Sequence, residues 1–277
     1  SVMPAVASGA LAGKLVTPDD SDNRQALVKN HSGNQVTLYG DWSVAGKTFR
    51  VMDYRPYPLS AVIDAGLATH ATLPIPVNDL AGNARVVGWN RYEVRVRLEG
   101  DPDVALRIER SPEELALSVS ENCELRVPAG LPLHIRQAQG HLRVTEVISL
   151  NAEQVRGNLR LDEVAHAHLA EVYGNLRIDE SADLRVVGTV YGNATLDEVK
   201  SADLQNVRGD LTARELGHLR ASRVGGNLAA REVAGAIVAD RVGGNMALKE
   251  VGGPVTIDQV AGNLNARELA GGARVAV

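Results

Sequence analysis

The sequence predicts an all-β protein dominated by a single-stranded β-solenoid, and three observations carry that expectation. A Gly-Asn or Gly-Asp pair recurs at Gly157, Gly174, Gly192, Gly209, Gly226, Gly244 and Gly262, in steps of 17 or 18 residues. A valine stands two places before each of these glycines, from Val155 to Val260. Aromatic residues make up 3% of the 277-residue chain and nearly vanish from the repeats, where only Tyr173 and Tyr191 occur. A period this short leaves no room for a helical hairpin with its turns, but it suits one turn of a stacked coil.

Each part of the coil follows from side-chain spacing. Two and four places after the glycine the residue is aliphatic in every copy, from Leu159 and Leu161 through Leu264 and Ala266. That period of two is a strand with one buried face. The next inward position, Val164, Ser181, Val199 and so on to Leu269, comes three residues later, so the chain turns a corner between them. Strands of about five or six residues fit between corners, which gives a coil with three short sides. Gly140-His141 lies 17 residues before Gly157 and opens the series as an eighth, imperfect copy. Eight coils at about 4.8 Å spacing make a thin rod about 35 to 40 Å long, too narrow for rings in its bore. The Gly-Asn column reads as a structural ladder. Asn tolerates a left-handed corner and can bond from coil to coil, and Gly has no Cβ to obstruct it.

Composition changes along the chain and divides it into three parts. Residues 1–30 are small and polar and read as a flexible arm. Residues 31–120 hold Tyr39, Trp42, Phe49, Tyr54, Tyr57, Trp89 and Tyr92, so they require a β-rich domain with an aromatic core. Strands are expected at Gln35 to Tyr39, Tyr92 to Leu98 and Val104 to Ile108, with a short helical turn near Ser111 to Leu115. Residues 121–277 form the solenoid. Cys123 is the single cysteine, which excludes an internal disulfide and a cysteine-based zinc site; before Glu124 to Val127 it reads as a small buried hydrophobe.

Charge narrows the function classes. A net charge of −5 argues against nucleic acid, whose phosphates call for a basic face. No apolar run is long enough for a transmembrane segment. Six places after each repeated glycine stands a glutamate, from Glu163 to Glu268. The preceding column is acidic in three coils (Asp162, Asp179, Asp197) and basic in four (Arg214, Arg231, Lys249, Arg267), so the corner should be acidic at one end and charge-paired at the other. Stacked carboxylates repel one another and need counter-charges. Asp162, Glu163, Asp179, Glu180, Asp197 and Glu198 therefore form a candidate metal site, with calcium the ion such oxygen ligands suit, or a dock for a basic partner; a solvated corner that blocks edge pairing is the structural reading. His166 and His168, with Asp183 expected one coil on, make a weaker candidate for a transition metal.

The run Glu124-Leu125-Arg126-Val127-Pro128-Ala129-Gly130-Leu131-Pro132-Leu133-His134-Ile135, leading into Gly140-His141-Leu142-Arg143-Val144 and the Gly-Asn-Leu coils, resembles the bacterial adhesin-type β-solenoid family, a domain of unknown function. Coil length also resembles that of bactofilins, whose triangular β-helices polymerise end to end. The resemblance covers about residues 92–277 and implies the solenoid fold but no catalytic residues, and the aromatic-rich first domain departs from the bactofilin pattern. It leans toward the cell envelope, while the absence of disulfides also permits the cytoplasm.

No nucleophile triad, phosphate loop or dinucleotide fingerprint is present, and evenly spaced coils build no cleft wall. The expectation is a non-catalytic structural or interaction protein without a cofactor, acting as a rigid scaffold or end-to-end assembly unit, a homo-oligomer through its C-terminal coil. The alternative is an adhesin-like surface module for a glycan or peptide, with Trp42, Tyr54, Tyr57 and Trp89 as binding residues. A polysaccharide-active β-helix enzyme is a remote third reading.

Overall fold

The structure, a computed structural model, describes residues 15–18, 26–32, 35–38, 49–52, 75–91, 94–98, 106–110 and 115–275. All regular structure in these residues is β, and no helix among them is long and apolar enough to cross a membrane. Strands β1 (Leu15–Pro18), β2 (Ala26–Ser32), β3 (Gln35–Leu38) and β4 (Phe49–Met52) form an antiparallel sheet in the order β3-β2-β1-β4. Two of these strands draw on the segment that composition alone reads as an arm. The strand expected from Gln35 is present as β3.

The C-terminal part is a β-solenoid of about eight coils. It runs from β11 (Pro132–Ala138) through four long strands, β12 (Leu142–Val155), β13 (Leu159–Val172), β14 (Leu176–Val190) and β15 (Ala194–Val207). It continues through two strands per turn: β16 (Leu211–Leu216) with β17 (His218–Val224), β18 (Leu228–Val233) with β19 (Ile237–Val242), β20 (Met246–Val251) with β21 (Val255–Val260), and β22 (Leu264–Leu269) with β23 (Ala273–Val275). Every coil pairs in parallel with the next, at the register the repeat demands. Leu142 faces Leu159, Leu159 faces Leu176, and Val155 faces Val172. Between β12 and β13 the paired runs are Leu142 to Thr145, Ser149 to Ala152, and Gln154 to Val155, with Val147 pairing alone at the corner.

Inward columns are closed to water. Val155, Val172, Val190, Val207, Val224 and Val242 are all buried, and Val260 packs half-buried beside them. Burying each such side chain contributes about 1.5–3 kcal/mol, so the stack is held chiefly by aliphatic burial along its axis. No aromatic ring enters this core. Tyr173 and Tyr191 sit outside it instead, stacked on each other with ring centroids 4.6 Å apart, the spacing of adjacent coils.

The two corners of each coil differ from expectation in an informative way. Asn at the Gly-Asn pair does not adopt a left-handed backbone. That conformation falls on the glutamate column: Glu146, Glu163, Glu180, Glu198, Glu215, Glu232, Glu250 and Glu268 all have φ between 52 and 64°. The repeated glycines are required by crowding. A Cβ on Gly174 would lie 2.5 Å from the carbonyl oxygen of Gly157 and 2.6 Å from Oδ1 of Asn158. Gly174 N–H donates to that same Gly157 carbonyl at 3.1 Å, so the backbones of successive coils touch there.

The described residues between 75 and 128 cap the first coil and belong to the same sheet. They form β5 (Ile75–Leu80), β6 (Ala84–Trp89), β7 (Arg95–Leu98), β8 (Leu106–Arg110), β9 (Leu115–Val119) and β10 (Cys123–Pro128). β6 pairs in parallel with β12 on one face and with β10 on the other, while β5 lies between β11 and β9. The coil made by β5 and β6 is thus inserted between the coil of β9 and β10 and the coil of β11 and β12, although β10 and β11 are consecutive in the chain. Antiparallel β7 on β10 and β8 on β9 cover the N-terminal edge of the stack. The strands expected at Tyr92 to Leu98 and Val104 to Ile108 correspond to β7 and β8; the helical turn expected near Ser111 falls largely outside the described residues.

Candidate functional site

Four parallel columns of polar side chains run up one side of the solenoid. The first is an amide ladder. Backbone N–H of Asn175 donates to Oδ1 of Asn158 at 2.8 Å, Asn193 to Asn175 at 2.8 Å, Asp210 to Asn193 at 2.9 Å and Asn227 to Asp210 at 2.7 Å. It continues to Asn245 and Asn263. Toward the N-terminus it passes through His141, whose Nδ1 accepts from Asn158 at 3.0 Å, to Asn83 and Asn122. The ladder therefore begins in the cap, below the eighth copy that spacing identifies. Gly82-Asn83 repeats the Gly-Asn pair, and a Cβ on Gly82 would collide with the Glu121 and Asn122 backbone.

Beside the ladder lies a column of arginines. Register places Arg97, Glu124, Arg85, Arg143, Arg160 and Arg177 side by side across β7, β10, β6, β12, β13 and β14. Next to it stand the aspartates, which are charge-paired where the sequence alone predicts an open acidic end. Asp162 takes ion pairs from Arg143 at 2.7 Å and Arg160 at 2.9 Å, and Asp179 from Arg160 at 2.9 Å and Arg177 at 3.0 Å. Burial pulls the pKa of Asp162 upward, but hydrogen bonds and charge from Arg160 and Arg143 outweigh it and hold the carboxyl below its usual value. Asp179 in turn raises Arg177 further above the usual guanidinium range.

The outermost column is the left-handed glutamates, with Glu163, Glu180 and Glu198 exposed. Arg214 pairs with Glu215 at 3.0 Å, and Lys249 pairs with Glu250 and lowers its pKa. Asp162 and Asp179 are thus turned toward guanidinium groups, while Asp197, in the coil where Thr195 replaces the arginine, keeps one buried oxygen without a hydrogen-bond partner. Among the described residues no group of three or more His, Cys, Asp or Glu side chains is placed to hold a metal ion, and the six carboxylates do not converge as a calcium site would require. His166 does lie opposite Asp183, and His168 opposite Arg185.

Of the aromatic candidates, Trp42, Tyr54 and Tyr57 lie outside the described residues. Trp89 is half-buried at the end of β6, with the guanidiniums of Arg91 and Arg95 at 5.3 Å and Arg126 at 5.9 Å from its ring. Cys123 is buried, and that burial pushes its thiol up to about 11, which leaves no thiolate at neutral pH.

Arg160 and Arg177 stand beside the acidic corner in the sequence, but the column they belong to, running on through Arg143, Arg85 and Arg97, shows in full only in the register of the strands. Its signal is the third residue after the glycine, Arg143, Arg160 and Arg177, extended by Arg85 after Gly82. Fold and surface together define a β-solenoid repeat protein with a capped N-terminal edge and laterally paired charge ladders. No family model matches the chain, and no curated protein or solved structure is significantly similar to it.

Proposed function

We propose that the chain is a non-catalytic structural protein, a rigid β-solenoid spacer whose last coil pairs end to end with a second copy. One observation carries the reading. The inward columns, buried throughout the stack, come to the surface at the last described coil, where Leu264 and Val275 are each 38% exposed and Ala266 and Ala273 are exposed beside them. Among the described residues β22 and β23 pair only on the side facing the preceding coil. Such an edge presents unpaired backbone donors and acceptors above an apolar floor, which is a template for another strand. The N-terminal edge is covered by antiparallel strands, so the favoured contact joins two C-terminal coils.

Light scattering on the full chain over a range of concentrations tests this. A dimer that becomes a monomer on Leu264→Lys with Val275→Lys, at unchanged far-UV circular dichroism, is the expected result. A monomer at every concentration before mutation rules the reading out.

A further inference from the structure

Four arginines of the column border an open groove toward the amide ladder, and the aspartate ladder uses Arg143 and Arg160 but not Arg85 or Arg97. The groove is bordered by Arg85, Arg97, Arg143 and Arg160, with Asn83 and His141 from the ladder among its other walls. Arg85 and Arg97 make no ion pair among the described residues, and both are exposed. Glu124, the one carboxylate in the column, is tied to Arg126 at 2.9 Å. Arg143, Arg160 and Arg177 are each about half exposed despite their ion pairs. Asp162 and Asp179 hold them in fixed poses from the far side, so less side-chain freedom is lost when further acceptors bind.

We propose that this face binds an acidic polysaccharide, its carboxylates or sulfates seated on the column Arg97, Arg85, Arg143, Arg160 and Arg177. Five guanidiniums across six neighbouring strands make a row about 24 Å long, suited to an extended chain bearing repeated anionic groups. Guanidinium forks match the planar or multi-oxygen geometry of such groups, and each charge-assisted pair adds direction as well as strength. Polar groups of the ladder border the same groove, beside the hydroxyls such a polymer would carry. The aspartate and glutamate columns repel a polyanion on the other flank and so fix the edge along which it lies. Single-stranded nucleic acid fits less well, because among the described residues the groove walls carry no aromatic side chain other than His141 on which bases would stack.

The site lies on the side of the rod and does not depend on end-to-end pairing, so one reading can fail without the other. The test titrates the full chain with polygalacturonate and with dextran sulfate by calorimetry, with neutral dextran and oligothymidylate as comparisons. Binding to one or both acidic polymers, weakened by added salt, is expected, and whichever polymer binds identifies carboxylate or sulfate as the recognised group. Arg85→Gln with Arg97→Gln should weaken binding about tenfold or more while leaving the melting temperature and oligomeric state unchanged, because neither side chain is committed to the fold. Arg143→Lys, which keeps the charge but loses the fork, should weaken it by a smaller factor. The proposal is overturned by absent binding to both acidic polymers, by equal binding of neutral dextran, by tighter binding of oligothymidylate, or by full affinity in the double variant.

Discussion

The side-chain oxygen of Asn193 accepts the backbone N–H of Asp210 at 2.9 Å, one coil further along the stack, and Asp210 hands the same bond on to Asn227 at 2.7 Å. Each rung thereby satisfies a backbone donor at a turn where the chain makes no strand pairing. Asp can stand at position 210 because the bond handed on needs an acceptor oxygen, while Nδ2 of Asn175 and Asn227 adds a second bond to the preceding rung at 3.2 and 3.1 Å. Asn193→Ala should cost about 1 kcal/mol of stability and speed hydrogen exchange at the Asp210 amide, whereas Asn193→Asp keeps the acceptor and should leave that exchange slow, at a small cost in stability because the new carboxylate lies one rung from Asp210. Equal exchange rates in the two variants would show that the ladder does not protect that amide.

Crowding at the neighbouring glycine leads to a second prediction. The Cβ of Gly174→Ala would press against a backbone carbonyl, which cannot swing aside as a long side chain would. The coils must separate locally, at an expected cost of about 1–3 kcal/mol. Gly272, around which nothing lies within 4 Å, is the internal comparison. There only its φ of 76° opposes a side chain, and Gly272→Asn should be nearly neutral. Denaturant midpoints for the two variants settle the point.

Most of the solenoid was legible because burial at its axis leaves a residue-type signature. The Val155 to Val242 column and the strand pairs after each glycine point inward as their spacing implies. Less visible was the internal symmetry of the coil. From Val224, Val233, Val242 and Val251 to Val260 the inward residues recur every nine positions, and Gly235, Gly253 and Gly271 make a second crowded corner opposite the Gly-Asn one. The earlier coils conceal it because their second half is often eight residues long and lacks that glycine. Placement of Gly82-Asn83 beneath Gly140-His141 was also hard to read. They are far apart in sequence because β7 to β10 intervene, and no fixed period spans an insertion. The charge ladders were legible as columns but not as pairs, since a guanidinium reaches sideways and across coils in ways that column counting ignores.

Left-handed backbone at the glutamate corner sets a third expectation. A φ near 52° at Glu215 is tolerable for an unbranched side chain and poor for a β-branched one. Glu215→Val should lose about 1–2 kcal/mol. Glu215→Gly removes the steric penalty and should be the most stable of the three, or at worst equal to the parent once added freedom in the unfolded chain is counted. Thermal melts would contradict this if valine proved as stable as glycine.

Ser181 is the one polar residue in a column otherwise filled by Val147, Val164, Val199 and their equivalents, and it is only 4% exposed. Its hydroxyl meets the carbonyls of Ala165 and Asp183 at 3.4 and 3.5 Å, long for a hydroxyl donor. Losing those weak contacts costs less than the added burial of two methyl groups provides. Ser181→Val should therefore stabilise the protein by about 1 kcal/mol, with the neighbouring valines showing that the shape fits. A fall in melting temperature would mean that the hydroxyl satisfies a carbonyl nothing else can reach.

Acid sensitivity follows from Asp162. Its folded pKa lies below its unfolded value, so the stabilisation it provides is present in full above about pH 5 and is lost as pH falls through the aspartate range, about 3.9 in the unfolded chain, toward the lower folded value. Protonation removes the acceptor that holds Arg143 and Arg160 together, and the two guanidiniums are left adjacent and repelling. Asp162→Asn should cost about 1–2 kcal/mol at neutral pH. It should also flatten the decline in melting temperature between about pH 5 and pH 3, because the variant has already lost the group that titrates. Parallel declines in parent and variant would place the acid-labile contact elsewhere on the rod.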